Sequence, residues 1–297
     1  MSGGLRGSPP AELEIDAALV RALLREQHPD LAKLPLEQVG AGWDNQMFRL
    51  GDDLAVRLPR RRVAVELLER EQRWLPVLAR SLPLRVPAPV RIGRGGTAFP
   101  WPWTVQPWIA GRTANRSVPP ASEGAAWGRF LRALHRPAPA EAPRNPLRGV
   151  PLQDRAAKVG ATLERLARGA DPVDRRIQEL WRRALEAPVA RSHDWLHGDL
   201  HGRNVLVKSD RIVAVIDWGD VTAGDGATDL ASVWTLFDAP EGRRRCLEAY
   251  GPSPSLLARA RGWAVLFGSF LLETGRVDHP EHRAMGEAIL RRLVEDG

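Results

Sequence analysis

The stretch HGDLHGRNVLVKSDRIVAVIDWGD, residues 197–220, places carboxylates at both ends of an apolar segment. His197-Gly198-Asp199 opens it, Asp217-Trp218-Gly219 closes it, and the residues between read as a pair of short strands turning at Ser209-Asp210. Aspartate beside glycine is common at strand ends, so either acid alone reads as a turn residue. Two of them bracketing one hairpin, with Asn204 correctly placed between, read instead as functional groups held at a fixed separation on a rigid support.

Composition bounds what such a hairpin can serve. A chain of 297 residues can bury the core of one large domain or of two closely joined lobes. With 43% hydrophobic residues and both charge signs interspersed it falls in the soluble globular class. No apolar run approaches the ~20 residues of a membrane span, so no membrane partner is expected. The opening MSGGLRGSPP has no apolar signal core and reads as a short disordered tail. Cys246 is the single cysteine, which excludes an internal disulfide and fits a reducing, cytoplasmic setting. The net charge of +7 is carried by arginines spread among acids rather than gathered in a basic block, so nucleic acid is not an expected partner.

Toward the N-terminus, Asp16 is a candidate cap for a helix through Leu19, Val20, Leu23 and Leu24 that stops near His28-Pro29. Residues 37–60 hold two apolar runs around the turn Gly51-Asp52-Asp53, a hairpin preceded by a glycine loop. Val65, Leu68 and Leu75 then predict a helix over 63–75, ended or kinked by Pro76. Strands around a Gly-Gly turn in 90–111 lead to a proline-containing connection at Pro107, where a lobe boundary is expected: 1–106 for the first lobe, 107–297 for the second. Beyond it the pattern turns helical, at about 122–135, 154–168, 172–186, 228–237, 241–250, 254–275 and 281–295, with HRPAPAEAPRNP at 135–146 as an extended loop. Strands first and helices later define an α+β class.

Asp199 and Asn204 stand five positions apart, the spacing of the catalytic loop H-R-D-L-x-x-x-N of kinases, and Asp217-Trp218-Gly219 fits D-x-G. That spacing lets one carboxylate face an acceptor hydroxyl while the amide oxygen and the second carboxylate turn to Mg²⁺ on nucleotide phosphates. His197-x-Asp199-x-His201 could also bind zinc, but the remaining histidines supply no further ligand pattern. The first lobe gives an independent test. Gly40-Ala41-Gly42-Trp43-Asp44-Asn45 reads G-x-G-x-x-N, a phosphate-covering loop with Asn45 where a third glycine would stand. Leu54-Ala55-Val56-Arg57 occupies the place of V-A-I-K, with Glu71, or its near rival Glu69, as the partner on the next helix.

With HGDLHGRNVLV, VIDWGD and GDGATDLA in this order, the chain resembles the aminoglycoside phosphotransferase family over residues 36–295. The resemblance implies a bilobal protein-kinase-like fold, with a small β-rich N-lobe and a larger, mainly helical C-lobe. It implies Asp199 as catalytic base, Asn204 and Asp217 as Mg²⁺ ligands, and Arg57 with Glu71 at the phosphates of ATP or GTP. Gly42 and Asn45 would cover those phosphates, and Pro107 and Ile109, in a hinge over 106–111, would meet the base of the nucleotide. The family more often has lysine at position 57. His197 is implied to be structural, and Asp229 to cap the helix that follows.

The expected partners are a nucleoside triphosphate and a small-molecule hydroxyl acceptor, an antibiotic or related natural product, with the chain a monomer or weak homodimer. A metabolite kinase, or a catalytically weakened nucleotide-binding protein of the same fold, is the alternative. The acceptor-side helices carry at least as many arginines as acids, which disfavours a polycationic aminoglycoside unless Glu273, Asp278, Glu281 and Glu287 form an acidic patch. Trp181, Trp234, Trp263, Phe267 and Phe270 would suit a partly apolar acceptor, although aromatic residues at helical spacing more often belong to the core.

Overall fold

The computed structural model describes residues 10–168, 174–190, 193–277 and 280–296; all but the last residue of the expected tail lies outside them. The chain divides into two compact units, Met1–Arg80 with Arg85–Ala110, and Ser81–Leu84 with Gly111–Gly297. The division thus falls at 110/111, against the 106/107 boundary expected from the sequence.

In the first unit, α1 (Ala17–Gln27) is capped by Asp16, whose carboxylate accepts from Leu19 N at 2.7 Å. Its buried face, Val20, Leu23 and Leu24, packs in one core with Phe48, Val56 and Trp103 of an antiparallel sheet. That sheet is ordered β1-β2-β3-β5-β4, from β1 (Leu36–Ala41), β2 (Asn45–Leu50), β3 (Leu54–Pro59), β4 (Arg91–Gly93) and β5 (Trp103–Pro107). The glycine loop expected ahead of a hairpin is therefore partly a strand. β1 pairs with β2 through a bulge between Gln38 and Gly40, which turns Val39 out to solvent and hides the alternation that marks a strand. The helix α2 (Val65–Leu78) buries Leu68, Glu71, Trp74, Leu75 and Leu78 along one face. It runs two residues beyond Pro76, because a proline in the last turn removes only one helical hydrogen bond.

The second unit begins with β6 (Arg112–Thr113), α3 (Gly124–Leu134), α4 (Ala156–Ala167) and α5 (Arg175–Glu186). Then come β7 (Asp194–Leu196), β8 (Val205–Lys208), β9 (Arg211–Val215) and β10 (Thr222–Gly224). Five helices finish it: α6 (Ala227–Leu230), α7 (Ser232–Leu236), α8 (Pro240–Tyr250), α9 (Pro254–Val277) and α10 (Pro280–Glu295). The β8–β9 hairpin turns at Ser209 (φ 49°) and Asp210 (φ 57°), two left-handed residues in succession, which match the right-handed twist of the flanking strands. By length and composition Pro254–Arg276 of α9 could cross a membrane, against the expectation drawn from unbroken apolar runs. Here it packs against α5, α6 and α10, with Trp263 to Leu266 buried. Its seam with α10 is close: a Cβ on Gly286 would meet Leu272 N at 2.5 Å and Gly268 O at 2.7 Å.

Candidate active site

The Asp199 loop leaves β7 and enters β8, and its backbone is held from below by a buried carboxylate. Asp229 Oδ2 accepts from His197 N at 2.6 Å and Oδ1 from Gly198 N at 2.9 Å. This corrects the capping role expected for Asp229, which lies inside α6 rather than ahead of it. Two backbone N–H groups 31 and 32 residues away offered its desolvated charge better compensation than the helix terminus. Gly198 turns the chain at φ 86°, where a Cβ would also run into Asp220 O at 2.6 Å. His197 is wholly buried, with Nε2 at 3.0 Å from Ile216 O and Nδ1 at 3.2 Å from Asp199 N. A carbonyl only accepts and an amide N–H only donates, so the ring proton sits on Nε2. His197 thereby ties the loop to the chain leading into Asp217, as does the bond from Ile216 N to Asn204 O at 2.9 Å.

On this frame Asp199 and Asn204 face each other. Asn204 Nδ2 donates to Asp199 O at 3.0 Å, which leaves its Oδ1 as a hard oxygen donor. Asp217 takes a left-handed backbone at φ 64°, uncommon outside glycine and tolerated by Asp. Among the described residues no three His, Cys, Asp or Glu side chains converge as a self-sufficient metal centre. An amide oxygen with one carboxylate is a set that fits Mg²⁺, which keeps water and substrate phosphate for its other positions.

Two groups flank Asp199: Arg148, which no motif marks, and His201, which the sequence offers only as a zinc ligand. Arg148 Nη2 lies 2.9 Å from Asp199 Oδ1, and His201 Nε2 lies 3.2 Å from Oδ2. Burial works to raise the Asp199 carboxyl, but the charge and hydrogen bond of His201 and the charge of Arg148 outweigh it and hold the group well below the usual carboxylate range. Asp220, bonded to Asn145 Nδ2 at 2.8 Å, is pushed up, by burial first and then by the Asp199 charge. Arg148 carried no motif signal. It follows the proline-rich loop and meets Asp199 across 51 residues of sequence.

In the first unit Arg57 on β3 meets Glu71 on α2, Nη1 to Oε2 at 2.6 Å, with both side chains nearly sealed from solvent. Glu69 is exposed, which separates the two rivals. With the Asn45 amide oriented to satisfy both groups, its oxygen accepts from Arg57 Nη2 at 2.9 Å and Nε at 3.1 Å. The two departures from the kinase pattern, Asn45 and Arg57, are thus partners. Gly42 N donates to Asn45 O at 2.8 Å, closing the loop. Pro107 ends β5 opposite Leu54; lacking an N–H, it could offer a ligand only its carbonyl, whereas Ile109 retains both backbone groups.

The aromatic residues that would suit an acceptor divide between core and surface. Trp181, Trp234 and Trp263 are buried in the helical core, Trp234 with its Nε1 on Asp296 Oδ2 at 3.0 Å. Phe267 and Phe270 stay half-exposed on α9, and each carries a cation: Arg148 at 5.1 Å from the Phe267 ring centre, Lys158 at 5.2 Å from that of Phe270. Of the acids that could have formed a patch, Glu273 is bound by Arg165 at 2.6 Å and Glu287 by Arg283 at 2.8 Å, Glu281 is exposed in the first turn of α10, and Asp278 lies outside the described residues.

A scaffold of this kind has a well-matched chemistry, transfer of a phosphoryl group to a hydroxyl, and the class it defines is the small-molecule kinase of protein-kinase-like fold. The chain belongs to the phosphotransferase enzyme family designated APH, whose family model matches residues 35–263. Several solved structures share its fold. The GDP and kanamycin complex of APH(2")-IIia superposes with a TM-score of 0.64 at 19% identity, over 94% of this chain and 99% of that one. The streptomycin-ATP-APH(2")-IIa ternary complex gives 0.58 at 18%, over 88% and 91%. The apoenzyme of macrolide 2'-phosphotransferase MphH from Brachybacterium faecium gives 0.58 at 22%, over 93% and 97%. No curated protein matches the chain in sequence.

Proposed function

We propose that the protein is a nucleoside-triphosphate- and Mg²⁺-dependent O-phosphotransferase that modifies a hydroxyl of a small molecule, an antibiotic or related natural product, in the cytoplasm. The observation that carries this reading is the Asp199–Asn204 loop, fixed by Asp229 and His197 and joined through the β8–β9 hairpin to Asp217. Asp199 accepts the proton of the acceptor hydroxyl as the hydroxyl oxygen bonds to the terminal phosphorus and the bond from that phosphorus to the departing nucleoside diphosphate breaks, and the tethered backbone keeps the carboxylate oriented. Asn204 and Asp217 would hold Mg²⁺, which when bound neutralises charge on the nucleotide phosphates. Arg57, held by Glu71 and Asn45, would fix the geometry of the glycine loop that faces the nucleotide phosphates. The nucleotide complexes of several structural neighbours support an ATP- or GTP-type donor. The pairing of Glu273 and Glu287 with arginines supports a neutral or weakly charged acceptor over a polycation.

The test is triphosphate turnover across a panel of hydroxyl acceptors, with and without EDTA. Acceptor-stimulated, EDTA-sensitive turnover that Asp199→Asn reduces by about 10³-fold is expected. Nucleotide binding with no stimulation by any acceptor would favour a regulatory protein of kinase fold. High kcat/KM confined to polycations, rising as salt is lowered, would overturn the charge argument.

A further inference from the structure

Gln106, on β5, carries a buried polar atom that the chain leaves without a partner. The residue is 6% exposed, and among the described residues no donor reaches its Oε1. Strand register places the side chain. Gln106 stands opposite Ala55 and Thr104 opposite Arg57, so these four side chains share one face of the first sheet. The alternate residues of the same strands, Val56, Trp103 and Val105, point the other way, into the core with α1. The other two polar members of the shared face are engaged: Arg57 has Glu71 and Asn45, and the Thr104 hydroxyl accepts from Gln72 Nε2 of α2 at 2.9 Å. The neighbours of Gln106 supply its oxygen with no donor. The Ala55 side chain is apolar, Pro107 has no N–H, and Trp108 N is spent on Asp53 O at 2.7 Å.

A buried acceptor with no donor costs free energy, whereas a leucine or methionine would fill the same space without that cost. The strand that carries it runs into residues 106–111, where the base of a nucleotide is expected. We infer that the phosphoryl donor is an adenine nucleotide and that Gln106 Oε1 accepts from the amino group of its base. The inference rests on the phosphotransfer reading, which brings a nucleoside triphosphate to this strand, and it deepens that reading by choosing between ATP and GTP. A carboxamide offers an acceptor beside a donor, and adenine offers an amino group beside a ring nitrogen, so the two match in a bidentate manner. Guanine carries a carbonyl oxygen where adenine carries the amino group, and in the same pose it would set two acceptors against each other. Gln106 is thus a specificity-determining residue: it touches the base and takes no part in the transfer.

The probes are the Mg²⁺ complexes of ADP, GDP and purine riboside 5'-diphosphate, which is ADP without its amino group, titrated into the full chain by calorimetry. The wild type is expected to bind ADP about tenfold or more tighter than either of the others. In Gln106→Leu the ADP affinity should fall by about tenfold, and the purine riboside compound should bind as tightly as ADP, because the amino group it lacks has no partner left. Gln106→Met, which keeps the length of the side chain, should behave alike, and circular dichroism confirms folding of both. The comparison of ADP with the purine riboside compound in the wild type needs no variant, so it decides even where both variants fail to fold. A wild type that binds GDP or the purine riboside compound as tightly as ADP overturns the inference. So does an amino group whose removal costs as much in Gln106→Leu as in the wild type. Either result leaves the phosphotransfer reading standing. If no nucleoside diphosphate binds in the presence of Mg²⁺, that reading falls and takes the inference with it.

Discussion

In the first unit Arg57 meets Glu71 at 2.6 Å with side chains 6% and 2% exposed; in the second Arg148 meets Asp199 at 2.9 Å with 25% and 26% exposed. The chemistry of the two pairs is the same and their burial is opposite. A sealed pair cannot lose one member without stranding a charge in low dielectric, so it fixes geometry. A pair with a quarter of each side chain in water can exchange partners cheaply, so it suits a place where a ligand arrives. Asn45 extends the contrast by adding hydrogen bonds to the sealed arginine, whereas Arg148 is backed by an aromatic face.

Several experiments break or sharpen this contrast. The largest effect is expected from Asp217→Asn, chosen over alanine because Asn tolerates the left-handed backbone at φ 64°. Mg²⁺-dependent turnover should fall by about 10³-fold or more with the urea midpoint little changed. Near-normal kcat in that variant removes Asp217 from the metal site. Next is Glu71→Ala, which should cost about 3–5 kcal/mol in denaturant unfolding, whereas the exposed Glu69→Ala should stay within about 0.5 kcal/mol. The reverse order would mean that the buried face of α2 is not the one that holds Arg57. Asn45→Ala should fall between, at about 1–3 kcal/mol, since it removes hydrogen bonds to a charged group. A loss equal to that of Glu71→Ala would show the three residues acting as one unit. Smallest is Arg148→Gln, with a stability change of about 1 kcal/mol or less. A larger loss there would place the Arg148 pair with the sealed one and end the contrast.

What could be read from sequence follows the same division. Asp199, Asn204 and Asp217 lie on one local hairpin, where spacing alone sets separation, and the sealed Arg57 pair lies between a strand and the next helix. Strand and helix periodicity fixed the α+β class for the same reason. Arg148 was invisible because its partner is 51 residues away and its own segment, beside a proline-rich loop, has no period to orient a side chain. Asp229 was misassigned because capping is a local rule, and a buried carboxylate prefers whatever N–H groups the tertiary fold brings to it. Residue type alone does not distinguish core from pocket, and helical spacing favours the core, where Trp181, Trp234 and Trp263 lie.

The hold of Asp229 on His197 N and Gly198 N has a consequence for how the protein breathes. Amide protons in a loop ordinarily exchange with solvent through small local openings. These two are bonded to a carboxylate that is itself 0% exposed and sits in α6, so freeing them requires α6 to leave its place. In hydrogen exchange the His197 and Gly198 amides should behave as strand amides do, with protection set by opening of the helical unit rather than of the loop, and Asp229→Asn should release both together. The loop that presents Asp199 then keeps time with the slowest motions of the helical unit, so two buried amides serve as a gauge of whether that whole unit has finished folding.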